Sequence, residues 1–405
     1  MRRPLHPLAL LAVLALTACA PELPVNDGRV QAPTPAGSHT SEASPVPEGQ
    51  GSASPSPESV NACLVQAEAL PVADQVGQLF MVGVSTSGLD ETTRTAIVNN
   101  KLGSVVLLGN TTAGAQPIRM LSAELGSLGT AELPLLVSVD QEGGQVQRLQ
   151  GEGFTRIPDA REQGAWPEGH LTEEATKWAE ELRSAGVAYN LAPDADVVPE
   201  DRRNTNAPVG KLKRDFGSEP GLVGAKAMEF IEGMHSADVV TSVKHFPGLG
   251  LVETNTDFGA AEDTEVAKDS PVLEPFRTVI DGGVDSVMVS SAVYTQIDPE
   301  NEAMFSSAII DGMLRDDLGF DRVVISDDLG AAKSVEDIEP ADRGVRFIEA
   351  GGDLAINADP TIMTAMVEAT VAKAESDEAF ATRVTESAAR VLTLKESAGL
   401  MECGG

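Results

Sequence analysis

Val323-Val324-Ile325-Ser326-Asp327-Asp328-Leu329-Gly330 is the stretch whose reading decides the architecture. Its first four residues form a short apolar run without polar–apolar alternation, the pattern of a strand buried on both faces. Two acids and a Leu-Gly pair follow at once, so the strand delivers polar chemistry at its end. The same format recurs along the chain. Runs that read as strands lie at 78–84, 104–108, 135–140, 187–191, 241–244, 286–290, 323–326 and 353–356. Amphipathic stretches such as 173–185, 222–234 and 343–350 alternate with them.

Eight strand–helix units over about 340 residues predict an α/β fold, a single (β/α)8 barrel of the TIM type with some long loops. An open doubly wound sheet is the competing architecture, but it calls for a Gly-rich phosphate turn after the first strand. Gly83-Val84-Ser85 is not one. No period of 20–50 residues repeats, which excludes a solenoid.

Composition narrows the class of function. The chain of 405 residues carries 62 Asp plus Glu against 29 Lys plus Arg, a formal charge of −33. That balance argues against nucleic acid as a partner and against electrostatic docking on an anionic membrane. It also makes any single Asp weak evidence for catalysis, whereas each Lys, Arg or His is informative. With 42% hydrophobic residues the chain can bury a full core.

The N-terminus reads as an address. Arg2 and Arg3 precede an apolar run from Leu8 to Leu16 and then Leu16-Thr17-Ala18-Cys19. A basic segment, a short apolar segment and small residues before a cleavage point describe a secretory signal over 1–18. Its ending resembles the bacterial lipobox, which implies lipid attachment to Cys19 and an exported protein anchored to the outer face of the cell membrane. Residues 19–59 read as that cysteine and a flexible linker. Eight Pro, seven Ser and four Gly crowd 20–59, with no Ile, Phe, Tyr or Trp. The barrel domain is assigned to 60–405, and a monomer touching the membrane only through the lipid is expected. Cys63 and Cys403 are then the remaining cysteines, one at each end of the head. In an oxidising compartment they suggest a disulfide joining the termini. No CxxC or clustered His accompanies them, so neither a metal nor a cofactor is expected.

In a barrel, function sits where strands end on their C-terminal side. The third run ends in Val139-Asp140-Gln141-Glu142-Gly143-Gly144, the fifth in Lys244-His245-Phe246-Pro247, and the seventh in Asp327-Asp328. The loop 201–217 after the fourth run holds Arg202, Arg203, Lys211, Lys213 and Arg214, a basic cluster in an acidic chain. It reads either as local charge balance or as ligand contact. Carboxylates beside cations at such a rim suit chemistry on a polyol, and glycoside hydrolysis needs two carboxyl groups.

Five motifs sharpen this reading: VDQEGGQVQR (139–148), NLAPDADV (190–197), the Arg-containing loop before Phe216-Gly217, VKHFPG (243–248) and ISDDLG (325–330). Their order and spacing resemble glycoside hydrolase family 3, in particular its single-domain β-N-acetylhexosaminidase branch of the peptidoglycan-recycling type. The likeness covers about residues 70–400. The resemblance implies a retaining exo-acting hydrolase of cell-wall glycans with Asp327 as nucleophile. It also implies that Asp140, Arg148, Arg214, Lys244 and His245 hold the terminal sugar.

One element departs from the pattern. The branch carries a PGHG turn and then Asp-Ser-His, whose His is the general acid/base. Here the turn is Pro247-Gly248-Leu249-Gly250 and the later element is Asn255-Thr256-Asp257. Either Asp257, or Glu253 nearby, replaces the histidine, or the general acid is lost and the protein is a sugar-binding pseudoenzyme or regulator. A binding module for an envelope polymer is a third class. Two Trp and two Tyr are too few for a long stacking groove and favour a small pocket.

Overall fold

The computed structural model describes residues 57–255 and 259–404. The signal at 1–18, Cys19 and almost all of the linker therefore lie outside the described residues, as does Asp257. The first described helix, Pro57–Ala69, begins inside the stretch read as linker, with proline at its start, where the missing N–H costs nothing.

Eight parallel strands close a barrel: β1 Phe80–Ser85, β2 Ser104–Leu108, β3 Leu136–Val139, β4 Tyr189–Asn190, β5 Val240–Phe246, β6 Ser286–Val289, β7 Val323–Asp328 and β8 Leu354–Asn357. Neighbours in sequence are neighbours in space, and β1 pairs with β8 through Phe80↔Ala355 and Met81↔Ile356. The fold is thus a (β/α)8 barrel, and all eight expected runs contain a strand. Most boundaries move by a residue or two, and two of the shifts have a clear cause. Gln78 belongs to the helix Val72–Gln78, not to β1; its side chain donates to the Lys101 carbonyl and accepts from Lys395 Nζ at 2.6 Å. β4 shrinks to two residues because only Tyr189 and Asn190 find partners on both sides, Ser138 and Val139 on one and Val240 and Thr241 on the other.

Alternation within each strand builds two cores. Met81, Val106, Leu136, Tyr189, Met288 and Ile325 are buried together inside the barrel, whereas Phe80, Val82, Val105 and Val137 are buried in the layer that the helices cover. The strands are therefore buried on both faces over most of their length, which explains why the runs lack alternation. Among the described residues no helix is long and apolar enough to cross a membrane. Cys63 and Cys403 form the expected disulfide, across 340 residues of sequence. It links the helix Pro57–Ala69 to the segment just after the helix Glu378–Ser397.

Candidate active site

Regular pairing stops where the polar residues begin. The β5–β6 ladder shifts register between Val243 and Phe246, and the β7–β8 ladder shifts between Ile325 and Asp328. Lys244 and His245 occupy the first irregularity and Asp327 the second. Asp140 and Glu142 follow β3 directly. Gly143, at φ 110°, lets that turn lie against the Pro158 carbonyl, where a Cβ would sit 2.3 Å from the oxygen.

Buried opposite charges hold the rim together. Lys244 Nζ lies 2.6 Å from Asp140 Oδ1 and 2.7 Å from Glu142 Oε1. Arg214 donates to both oxygens of Glu142 at 2.8 Å, a bidentate pair, and its Nε lies 3.5 Å from Asp194 Oδ2. Burial opposes the charge on Glu142, but the adjacent Arg214 and Lys244 override it and hold the carboxyl well below the usual carboxylate range. Burial likewise opposes the charge on Lys244, and Asp140 with Glu142 raises its pKa above the ordinary lysine value. Asp140 and Arg214 keep the larger exposed fractions, 18% and 13% of their side chains, and so present the cluster to solvent.

His245 stands behind the cations. Its Nδ1 is 2.8 Å from Asp196 Oδ2, and its Nε2 is 3.4 Å from Arg214 Nη2. Burial and then the Arg214 charge push the imidazole pKa down to about 4, so the ring is neutral at neutral pH. Burial pushes Asp196 up to about 6. Above that pH its carboxylate accepts the Nδ1–H, leaving Nε2 as a hydrogen-bond acceptor. Below it, the carboxyl proton reverses the bond and places the ring proton on Nε2. We therefore expect kcat/KM to fall as pH drops through about 6. Asp196→Asn is expected to remove that limb and to lower kcat/KM roughly 10- to 100-fold, the scale of one charge-assisted hydrogen bond. A pH–rate profile of the two proteins checks both; an unshifted limb in the variant excludes Asp196 as its origin.

Asp194, Asp196 and His245 bring donor atoms within 4.8 Å of one another, a set that can hold a metal ion. Arg214 stands beside two of them, so the positive charge there is already supplied by the guanidinium. Asp194 is pushed well above the ordinary aspartate range by burial and by Asp196, against the pull of Arg214.

The two acids of β7 have different tasks. Asp328 accepts from the backbone N–H groups of Gly330 and Ala358 through Oδ1 and of Ala331 through Oδ2, each at 2.8 Å. Its carboxylate builds the turn after β7 and ties it to the end of β8. Asp327 accepts from Ser291 Oγ through Oδ2 and from the Asp328 N–H through Oδ1, both at 2.9 Å. It also lies close enough to His245 to act on its charge. Asp327 is therefore the acid of the pair that faces the cluster.

The remaining expected residues divide. Arg148 sits on the turn after β3 and donates through Nη1 to Asn110 at 3.2 Å, while its buried Nε has no partner. In the basic loop, Arg202 pairs with Glu265, Arg203 with Asp215 and Lys213 with Asp159, which is local charge balance. Only Arg214, of the cations with described partners, reaches the cluster. Glu253 is exposed. Glu142, Asp194, Asp196, Asn206 and Ser291 were not singled out by the sequence reading. Asn206 donates to the Leu249 and Val252 carbonyls and accepts from the N–H groups of Val209 and Gly210, fastening the Arg214 loop to the loop after β5. Glu142, Asp194 and Asp196 all lie in quoted motifs, and the need of buried Lys244 and Arg214 for counter-charges was the available signal.

Comparison with known proteins bears on the fold and the family. The model of the glycosyl hydrolase family 3 N terminal domain matches residues 71–394. A β-hexosaminidase of Xanthomonas campestris pv. campestris (strain B100) is 32% identical over 325 residues, 77% of this chain and 91% of its own. The crystal structure of a β-N-acetylhexosaminidase from Beutenbergia cavernae DSM 12333 superposes with a TM-score of 0.79 at 43% identity, covering 81% of this chain and 99% of that one. A family 3 β-N-acetylglucosaminidase from Paenibacillus sp. str. FPU-7 gives a TM-score of 0.75 at 31% identity, over 82% of this chain and 63% of that one. On the matched barrel and the carboxylates and cations at its rim, the chain belongs to the glycoside hydrolases of family 3.

Proposed function

We propose that the protein is a retaining, exo-acting β-N-acetylhexosaminidase that removes a terminal β-linked sugar, N-acetylglucosamine, from cell-wall glycans. The observation that carries this reading is Asp327, held at the end of β7 by Ser291 while its neighbour Asp328 is spent on the backbone. The β-hexosaminidase relatives support the choice of sugar. Asp140, Lys244, Arg214, Arg148 and His245 bind and orient the sugar hydroxyls. Asp327 attacks the anomeric carbon, and the electron pair of the glycosidic bond passes to the departing oxygen, which takes a proton from the general acid. Water then attacks the anomeric carbon of the glycosyl-enzyme and frees the carboxylate. Asp257 is assigned as the acid/base, at the position where the branch carries histidine. The signal-like N-terminus and Cys19 support an enzyme exported and lipid-anchored to the outer face of the membrane, on its 19–59 tether.

Leaving-group dependence tests the assignment. An aryl β-N-acetylglucosaminide with a good leaving group needs little protonation, whereas a disaccharide or muropeptide needs it in full. In Asp257→Ala we expect turnover of the aryl substrate to change less than about tenfold and that of the disaccharide to fall about 100-fold or more. Equal retention of both substrates places the acid elsewhere. Sugar binding without turnover of either substrate by the unmodified chain identifies a binding protein.

A further inference from the structure

We propose that Ser291 is a catalytic residue of the second half-reaction, its hydroxyl stabilising the Asp327 carboxylate as the glycosyl-enzyme ester breaks. This rests on the reading of Asp327 as nucleophile. Ser291 follows β6, is only 1% exposed, and donates to Asp327 Oδ2 at 2.9 Å, so water does not compete for that bond. Its neighbours are fixed on every side. The Ser290 N–H donates to the Phe246 carbonyl, the Ala292 N–H to Ser290 Oγ and the Val293 N–H to the Ala261 carbonyl, each at 2.9 Å. The buried Tyr294 hydroxyl donates to the Gly248 carbonyl at 3.0 Å. The hydroxyl of Ser291 is thus delivered by the β6 loop as a preset donor.

The charge on its acceptor changes during turnover. In the first step an Asp327 oxygen bonds to the anomeric carbon, the glycosidic bond breaks, and the carboxylate loses its charge in becoming an ester. In the second step a water oxygen bonds to that carbon and gives a proton to the base. The bond to Asp327 breaks, and its electron pair returns to the carboxylate. A hydrogen bond to an ionised acceptor is about twice as strong as one to a neutral acceptor. The hydroxyl therefore stabilises the departing carboxylate more than the ester, and accelerates the second step. It gives the first step no such help, because there the charge is being consumed.

Ser291→Ala is the test, in the full chain with an activated aryl β-N-acetylglucosaminide that makes the first step fast. The expected result is a fall in kcat of about tenfold with a fall in KM at least as large, so that kcat/KM is held or raised. A burst of aryl alcohol is expected, with a covalent sugar adduct visible by intact mass and mapped to Asp327. Ser291→Thr, which keeps the hydroxyl, is expected to restore kcat. A parallel loss of kcat and kcat/KM without adduct, or wild-type turnover in the alanine variant, overturns the role of Ser291. An adduct mapped to another carboxylate overturns the nucleophile assignment instead, so the two failures are distinguishable.

Discussion

Asp327→Ala is expected to lower kcat by about four orders of magnitude or more, with binding of the free sugar retained within a few-fold. The size follows from the role proposed for the group. A covalent intermediate replaces one difficult displacement by two easier ones, and deleting the nucleophile of such a pair removes the route itself. Asp327 is half-buried at the end of β7, and the turn that follows is held by Asp328 through Gly330, Ala331 and Ala358. The variant should therefore keep its melting temperature. Asp328→Ala provides the contrast: it releases three backbone N–H groups and should cost stability first. Steady-state kinetics, sugar binding by calorimetry and thermal unfolding on the two variants separate the cases. An Asp327→Ala protein with near-normal turnover of the aryl substrate excludes the retaining mechanism on this residue.

Glu142→Gln is expected to destabilise the fold by about 3–5 kcal/mol, the cost of breaking a buried ion pair by removing one partner. Glu142 meets both Lys244 and Arg214 at 2.7–2.8 Å and is 6% exposed. The amide would leave two buried cations short of one negative charge and turn an N–H donor toward one of them. The pH dependence carries the same signature. The folded pKa of Glu142 is depressed, so its contribution is present above the unfolded value near 4.3 and lost as pH falls below the carboxylate range. Denaturant unfolding at pH 7 and pH 3 should therefore show a gap between wild type and variant that narrows in acid. An equal midpoint for the two proteins at pH 7 would show that Asp140 suffices as a counter-ion.

Much of this was legible in the sequence because a barrel strand is buried on both faces and ends abruptly. Ser104–Leu108 and Val323–Ser326 announced themselves as apolar runs, and the polar residues just beyond them fell at the rim. Gln78 was misread because the apolar residues after it continue without a break and periodicity does not mark where the helix Val72–Gln78 stops. The strand pattern locates the Asp327-Asp328 pair without ranking the two acids; the family resemblance singles out Asp327, and the structural difference lies in backbone N–H groups supplied to Asp328 by Gly330, Ala331 and Ala358. Glu142 was hidden for another reason. Its partners stand 72 and 102 positions away, and in a chain with 62 acids one more carboxylate carries no mark. The basic loop stayed open between charge balance and ligand contact because it does both: Arg202, Arg203 and Lys213 neutralise nearby acids, while Arg214 points inward.

The disulfide between Cys63 and Cys403 has a mechanical meaning beyond folding. It closes the chain into a covalent ring that contains every strand of the barrel. A pull arriving along the N-terminal segment can unwind the helix Pro57–Ala69 only as far as Cys63, where the load passes to the far end of the ring beside the helix Glu378–Ser397. On the tether proposed above, the bridge would act as a strain relief: tension would stop at the rim of the ring, and β1 would not be peeled from β8.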